Sequence, residues 1–209
     1  MLLFLLLPAI SFADDFVAGE DYVAISGNNE TSSGDKAIMV TEFFSYGCPW
    51  CYRLEPQLDS WAVTQSSKII YKKVPVIFNK NWEYYAKAFY TVETLSLNEK
   101  ISPILFKAII KDKKQLNSNK SMINFLTSQG VDYDFASNAF NNSPSIDIAI
   151  NNSNRLMADY KIGAVPAVVV AKKYKTDLQM AKSEKRLMQI LDYLVKKSIS
   201  DKTSDHKST

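Results

Sequence analysis

The segment FFSYGCPWCYRLEP, residues 43–56, constrains this chain more than any other. It follows AIMVTEFF (37–44), a run apolar on both parities, which reads as a strand covered on both faces. Just beyond it stand Cys48 and Cys51, the only two cysteines. Pro49 suits the first position of a helix, where a missing N–H costs nothing. Downstream, Leu54, Leu58, Trp61 and Ala62 recur at helical spacing, and KIIYKKVPVIF (68–78) reads as a second strand with Pro75 near its end or edge. Strand, Cys-x-x-Cys, helix, strand is a βαβ unit.

The rest of the chain changes character. DYVAI (21–25) is a short candidate strand in an otherwise polar stretch. From NWEYYAKAFYTVETL onward come helical patterns with no strand between them, Trp82, Tyr85, Ala86 and Phe89 sharing one core-facing side of the first. Pro103 is expected to start a helix behind a Ser102 cap, and Asn119 or Ser121 to cap the next, which stops at Gly130. DYDFASNAFNNSP forms another short helix, and a long helix spans Ser145 to Tyr160. A strand over Ala167–Ala171 then pairs with a second by a hairpin around Lys172 and Lys173, although no Gly or Asn marks the turn. Leu187, Ile190, Leu191, Leu194 and Val195 define a last amphipathic helix, and residues 198–209 read as a frayed polar tail.

MLLFLLLPAISFA opens the chain with a short apolar run, Pro8, and small residues at Ser11 and Ala13. This is the pattern of a signal peptide cleaved after Ala13, although no Lys or Arg precedes the run. Export to an oxidising compartment is the expectation. A net charge of +3, spread along the chain, argues against a nucleic-acid partner. Apolar residues at 46% mark a globular protein.

Three jobs are open to the cysteines. Structural zinc needs four N or S ligands, and the chain offers two cysteines and one histidine, His206. A structural disulfide closing so small a loop removes little chain entropy. A redox pair accounts for the setting better. At a helix N-cap, the N–H groups of Trp50 and Cys51 point toward the Cys48 sulfur and favour its thiolate. Cys51, one turn further in, is expected to be more buried and to stay a thiol. Cys48 would then be the exposed sulfur that attacks or is attacked, and Cys51 the one that resolves the mixed disulfide.

The segment EFFSYGCPWCYRLEP closely resembles the active-site segment of the DsbA family, and YKIGAVPAVVV resembles the loop before a cis-proline in the thioredoxin superfamily. Between Cys51 and Pro166 lie 114 residues, room for the helical domain that DsbA proteins insert there. The resemblance, from about Ala37 to Lys197, implies an α/β thioredoxin-like fold with an inserted helical domain. The expected division is a signal peptide (1–13), a first thioredoxin-like part (14–78), the helical insert (79–144), a second thioredoxin-like part (145–197) and the tail (198–209).

Three further roles are implied by the resemblance. Glu42, six positions before Cys48, stands where the superfamily keeps a buried acid that accepts and returns the proton of Cys51. Among Val40, Phe43 and Phe44 its carboxyl should have a raised pKa, unless it turns out to solvent at the strand end. Lys72 or Lys73 could pair with it. Pro166 resembles the cis-proline, leaving the Val165 backbone free to pair with an extended substrate and keeping metals from the sulfurs. Val165 is the oxidase-type residue, where isomerases more often show Thr. Trp50 is the departure: DsbA proteins commonly carry His there, whose charge helps the thiolate, and tryptophan has none. Packing against the insert and contact with substrate both remain open for it.

The resemblance implies a periplasmic thiol:disulfide oxidoreductase without cofactor or metal, donating the Cys48–Cys51 disulfide to reduced or unfolded exported proteins. A DsbB-like membrane partner would reoxidise it, and the protein would be a monomer. The alternatives are a reductase or isomerase, or a thioredoxin-like binding module with vestigial cysteines. An isomerase usually carries an N-terminal dimerisation domain, for which Asp14–Lys36 is too short.

Overall fold

The computed structural model describes residues 16–25 and 37–205; the expected signal peptide and His206 fall outside them. Strands β1 (Val23–Ala24), β2 (Ile38–Phe44), β3 (Ile69–Pro75), β4 (Ala167–Val170) and β5 (Tyr174–Asp177) form one sheet in the order β1-β5-β4-β2-β3. β2 and β3 are parallel, so a crossover must join them, and helix α1 (Pro49–Thr64) supplies it. The other pairs are antiparallel.

Both faces of β2 and β4 are covered, which is why their sequences are nearly continuous apolar runs. On one face, Ile38, Val40, Val168 and Val170 pack against Leu54 and Leu58 of α1. After the short helix α7 (Leu178–Ala181), Leu187, Ile190, Leu191 and Leu194 of helix α8 (Glu184–Asp205) complete that layer. On the other, Phe43, Ala167 and Val169 meet Tyr160 and Ile162. Each buried Val, Leu, Ile or Phe among them contributes about 1.5–3 kcal/mol by leaving water.

Between β3 and β4 the chain is helical: α2 (Lys80–Thr94), α3 (Asn98–Phe106) with a π turn over Lys107–Lys111, α4 (Asn119–Ser128), α5 (Tyr133–Asn141) and α6 (Pro144–Asp159). Their apolar side chains, among them Phe89, Leu105, Phe106, Met122 and Leu126, form one cluster with Phe44, Tyr46 and both cysteines. The cysteines therefore sit where the end of β2 meets the helices. A thioredoxin-like sheet with helices between β3 and β4 is the fold the sequence pointed to.

Several local expectations are corrected. Pro103 does not start a helix; it lies exposed inside α3. The hydroxyl of Ser102 is buried and shares a 2.6 Å hydrogen bond with Tyr46 Oη rather than capping. The cap of α4 is Ser118, in a reciprocal box with Ser121, while Asn119 donates to Asn141 Oδ1 and the Phe140 carbonyl. The β4–β5 turn is centred one residue earlier, on Ala171 (φ 55°) and Lys172 (φ 58°). Two left-handed residues match the twist of a tight hairpin, normally the work of Asn or Gly. The polar tail is not frayed from 198, because α8 continues to Asp205. Ser198 is buried with its hydroxyl on the Leu194 carbonyl, and Tyr174 of β5 donates to Asp201 at 2.8 Å.

Candidate active site

β2 delivers the chain into a tight turn in which the Cys48 N–H donates to the Ser45 carbonyl at 3.0 Å and the Gly47 N–H to Ser45 Oγ at 3.1 Å. Gly47 has no side chain for a reason. A Cβ there would lie 2.4 Å from Trp82 Nε1 and 2.9 Å from Tyr85 Cε2, so only glycine lets α2 pack over the turn.

Cys48 is the N-cap of α1, with Pro49 at its first position. The Cys51 N–H donates to Cys48 Sγ at 3.1 Å. The Cys48 thiol is held below its ordinary range, chiefly by the hydrogen bond from the Cys51 thiol and then by the Cys51 and Trp50 amides, against its own burial. Cys51 is pushed well up by burial first, then by the neighbouring Cys48. The pair is thus asymmetric, but not quite as the sequence implied. Cys48 itself is only 5% exposed against 0% for Cys51, because the loop before β4 also covers it. That loop brings Val165, 117 residues away, to Cys48: the Val165 carbonyl oxygen lies 3.5 Å from Cys48 Sγ. The Val165–Pro166 peptide is cis, Pro166 is buried and Val165 half-buried. Trp50 is turned outward, 54% exposed, and the Arg53 guanidinium lies 5.5 Å from its ring centroid. Packing against the helices is therefore not what Trp50 does.

Glu42 faces α1, not solvent, and is 0% exposed. Burial raises its pKa, with the Lys73 charge and the Tyr71 hydroxyl pulling the other way. Tyr71 donates to Glu42 Oε2, and Glu42 Oε1 is buried without a hydrogen-bond partner among the described residues. Lys73 rather than Lys72 turns inward, and it pairs with Glu55 at 2.6 Å and Asp59 at 2.7 Å. Burial, with the Glu42 charge behind it, pushes Glu55 up to about 8. Despite its own burial, Lys73 is raised by Glu42, Glu55 and Asp59 and stays an ammonium.

Sequence reasoning missed Glu55, Asp59 and Tyr71. Glu55 carried a usable signal, a carboxyl one residue from Leu54 on the buried side of α1. Tyr71 could be found only from strand register, which sets it beside Val40 and sets Lys73 beside Glu42. A cavity of about 720 Å³ is lined by Trp50, Arg53, Val165 and Pro166, all near Cys48 in the chain or in space, together with Lys182 and Lys185. Among the described residues no cluster of His, Cys, Asp or Glu is placed to hold a metal ion, and no helix is long and apolar enough to cross a membrane.

Residues 39–195 match the family model of the DSBA-like thioredoxin domain. The chain is 38% identical to the thiol:disulfide interchange protein DsbA of Burkholderia cepacia over 185 residues, 88% of this chain and 86% of that protein. The crystal structure of Pseudomonas aeruginosa DsbA superposes with a TM-score of 0.84 at 30% identity, covering 90% of this chain and 97% of that one. Proteus mirabilis DsbA, solved with a non-covalently bound peptide, shares the fold at a TM-score of 0.70 and 21% identity, over 89% of this chain and 99% of that one.

Proposed function

Because this chain belongs to the DsbA-like thioredoxin family, we propose that it is a thiol:disulfide oxidoreductase that donates a Cys48–Cys51 disulfide to exported proteins in the periplasm. The observation that carries this is the unequal setting of the two sulfurs: Cys48 caps α1 and its Sγ accepts from the Cys51 N–H at 3.1 Å, while Cys51 is fully buried one turn further in, a placement that favours the thiolate at Cys48. A thiolate stabilised at Cys48 lowers the energy of the reduced form, which makes the disulfide form an oxidant.

A substrate thiolate attacks Cys48 Sγ, the Cys48–Cys51 bond breaks, and Cys51 leaves as a thiolate that takes a proton. A second substrate thiolate then attacks the substrate sulfur of the mixed disulfide and releases the Cys48 thiolate. The substrate has lost two electrons and the protein has gained them. Glu42 is the group that gives Cys51 its proton and takes it back on reoxidation. Pro49 starts the helix whose N–H groups serve Cys48, and Trp50 presents an apolar face to the incoming chain. Val165 and Pro166 hold the substrate backbone, which runs into the cavity between Trp50 and Lys185. That the Proteus mirabilis relative was solved with a non-covalently bound peptide supports a peptide as ligand. A DsbB-like membrane protein reoxidises the pair, the signal peptide is cleaved after Ala13, and the protein works as a monomer in two thioredoxin-like parts around the helical insert.

The test is a trapping experiment. Oxidised protein carrying Cys51→Ala, loaded as a Cys48 mixed disulfide, should pass to a reduced unfolded protein and be isolated as a covalent adduct through Cys48. Cys48→Ala should give none. Equilibration of the native protein in glutathione buffers then reads the poise. A potential as reducing as that of a cytosolic reductase would make the same dithiol a reductase.

A further inference from the structure

The two oxygens of Glu42 are not equivalent. Oε2 accepts from the Tyr71 hydroxyl, and Oε1 is buried with no hydrogen-bond partner among the described residues. Strand register explains how this arises. Tyr71 pairs with Val40 and Lys73 with Glu42 in the parallel β2–β3 ladder, so Glu42, Tyr71 and Lys73 all point to the α1 side of the sheet. The groups around Glu42 come from three elements. β3 brings Tyr71 and Lys73, and α1 brings Cys48, Cys51, Glu55 and Asp59, whose charges or hydrogen bonds reach it or are reached by it. β4 brings the apolar Val168. Lys73 is engaged by Glu55 and Asp59, so Tyr71 is the group in direct contact with Glu42.

We infer that Tyr71 is a positioning residue: it holds Glu42 by Oε2, stabilises the carboxylate, and leaves Oε1 as the oxygen that exchanges a proton with Cys51. This rests on the reading of Glu42 as the proton acceptor of Cys51. An O–H group donates more strongly to a carboxylate than to a neutral acid. Tyr71 therefore opposes the effect of burial and keeps Glu42 ionisable at a lower pH than its apolar site alone would allow. Tyr71 does not itself lose its proton there, since burial and the Glu42 charge hold the phenol well above its ordinary range.

The reaction affected is reoxidation. With Cys48 in a mixed disulfide, the Cys51 thiol gives its proton to Glu42 Oε1, and the Cys51 sulfur attacks Cys48 Sγ. The bond from Cys48 to the partner sulfur breaks, and the partner leaves as a thiolate carrying the electron pair. The rate of this step follows the ionised fraction of Glu42.

The experiment uses the full chain charged with glutathione on Cys48 and follows release of glutathione by Cys51 from pH 4 to 9. Tyr71→Phe keeps the ring and removes only the donor. The acid limb should move toward alkaline pH by about one unit, the size expected for losing one hydrogen bond to a buried charge. In the Glu42→Gln background, Tyr71→Phe should change nothing. Carbon-13 NMR of labelled glutamate side chains reads the Glu42 midpoint in the folded protein independently of any turnover, and it too should rise. An unmoved midpoint overturns the role of Tyr71 whatever the fate of Glu42. A moved midpoint with an unmoved limb overturns Glu42 as the acceptor, and with it the coupling proposed here. A shift that persists in Glu42→Gln also overturns it.

Discussion

Trp50 and Arg53 show how much one residue beside the sulfur can change. Trp50 lies exposed at the start of α1 with a guanidinium over its ring, and Arg53 in turn pairs with Glu184 at the start of α8. The indole is thereby fixed as a wall of the cavity, but it brings no charge to Cys48. The groups that lower the Cys48 pKa are the Cys51 thiol and two amides. Trp50→His would set an ionisable ring beside the thiolate, and the charged form of each would favour the other. Cys48 should therefore become more acidic and the disulfide more oxidising. Thiolate absorbance against pH checks the first, and glutathione equilibration the second. An unchanged titration would mean that the helix start alone sets the thiolate.

At the scale of elements, the short-range signals of helix ends were partly legible. Ser118 and Ser121 form their box within four residues, yet Asn119 and Ser121 stood equally well as caps in the sequence. Ser102 looked like a cap because it precedes a proline, but a serine hydroxyl goes wherever a buried partner asks for it, here Tyr46. Helix α8 makes the same point at larger size. Its last turns are polar, and what holds them is Tyr174 on a distant strand and the burial of Ser198. Truncation after Lys197 should consequently lower stability by about 1–3 kcal/mol, the size of a hydrogen bond to a charged group with some lost burial. The midpoint of urea unfolding measures this, and a frayed tail would leave it unchanged.

Across the whole molecule, the acid cluster under α1 couples the active site to stability. Glu55 has an ordinary value of 4.5 and is raised to about 8 in the folded protein, and Glu42 is raised as well. A carboxyl with a raised folded pKa keeps its proton while the unfolded chain releases it. Its contribution to stability is full below 4.5 and is lost as pH rises toward 8. Each such group can account for a slope of at most about 1.4 kcal/mol per pH unit. The oxidised protein, whose cysteines do not titrate, should lose stability between pH 5 and 8, and Glu55→Gln should flatten that fall. Urea unfolding at several pH values is the check; equal slopes for the two proteins would remove Glu55 as the cause. The cost of keeping these acids buried is what the proton-acceptor role proposed for Glu42 would account for.

What the sequence determined by itself was everything carried by spacing. The two-sided apolar run of β2, the proline after Cys48, the helical repeat of α1 and the apolar stripe of α8 are local patterns, and each became the element its period demands. The placing of two sulfurs at a helix start, with unequal chemistry, follows from those patterns alone. Only the tertiary structure decided what surrounds them. Val165 reaches Cys48 across 117 residues, Tyr71 rather than a lysine takes hold of Glu42, and Glu55 turns inward to Lys73. Those contacts depend on strand register and on how a helix is rotated against a sheet. Both are set by the sum of core packing, and no short stretch of the chain carries that information.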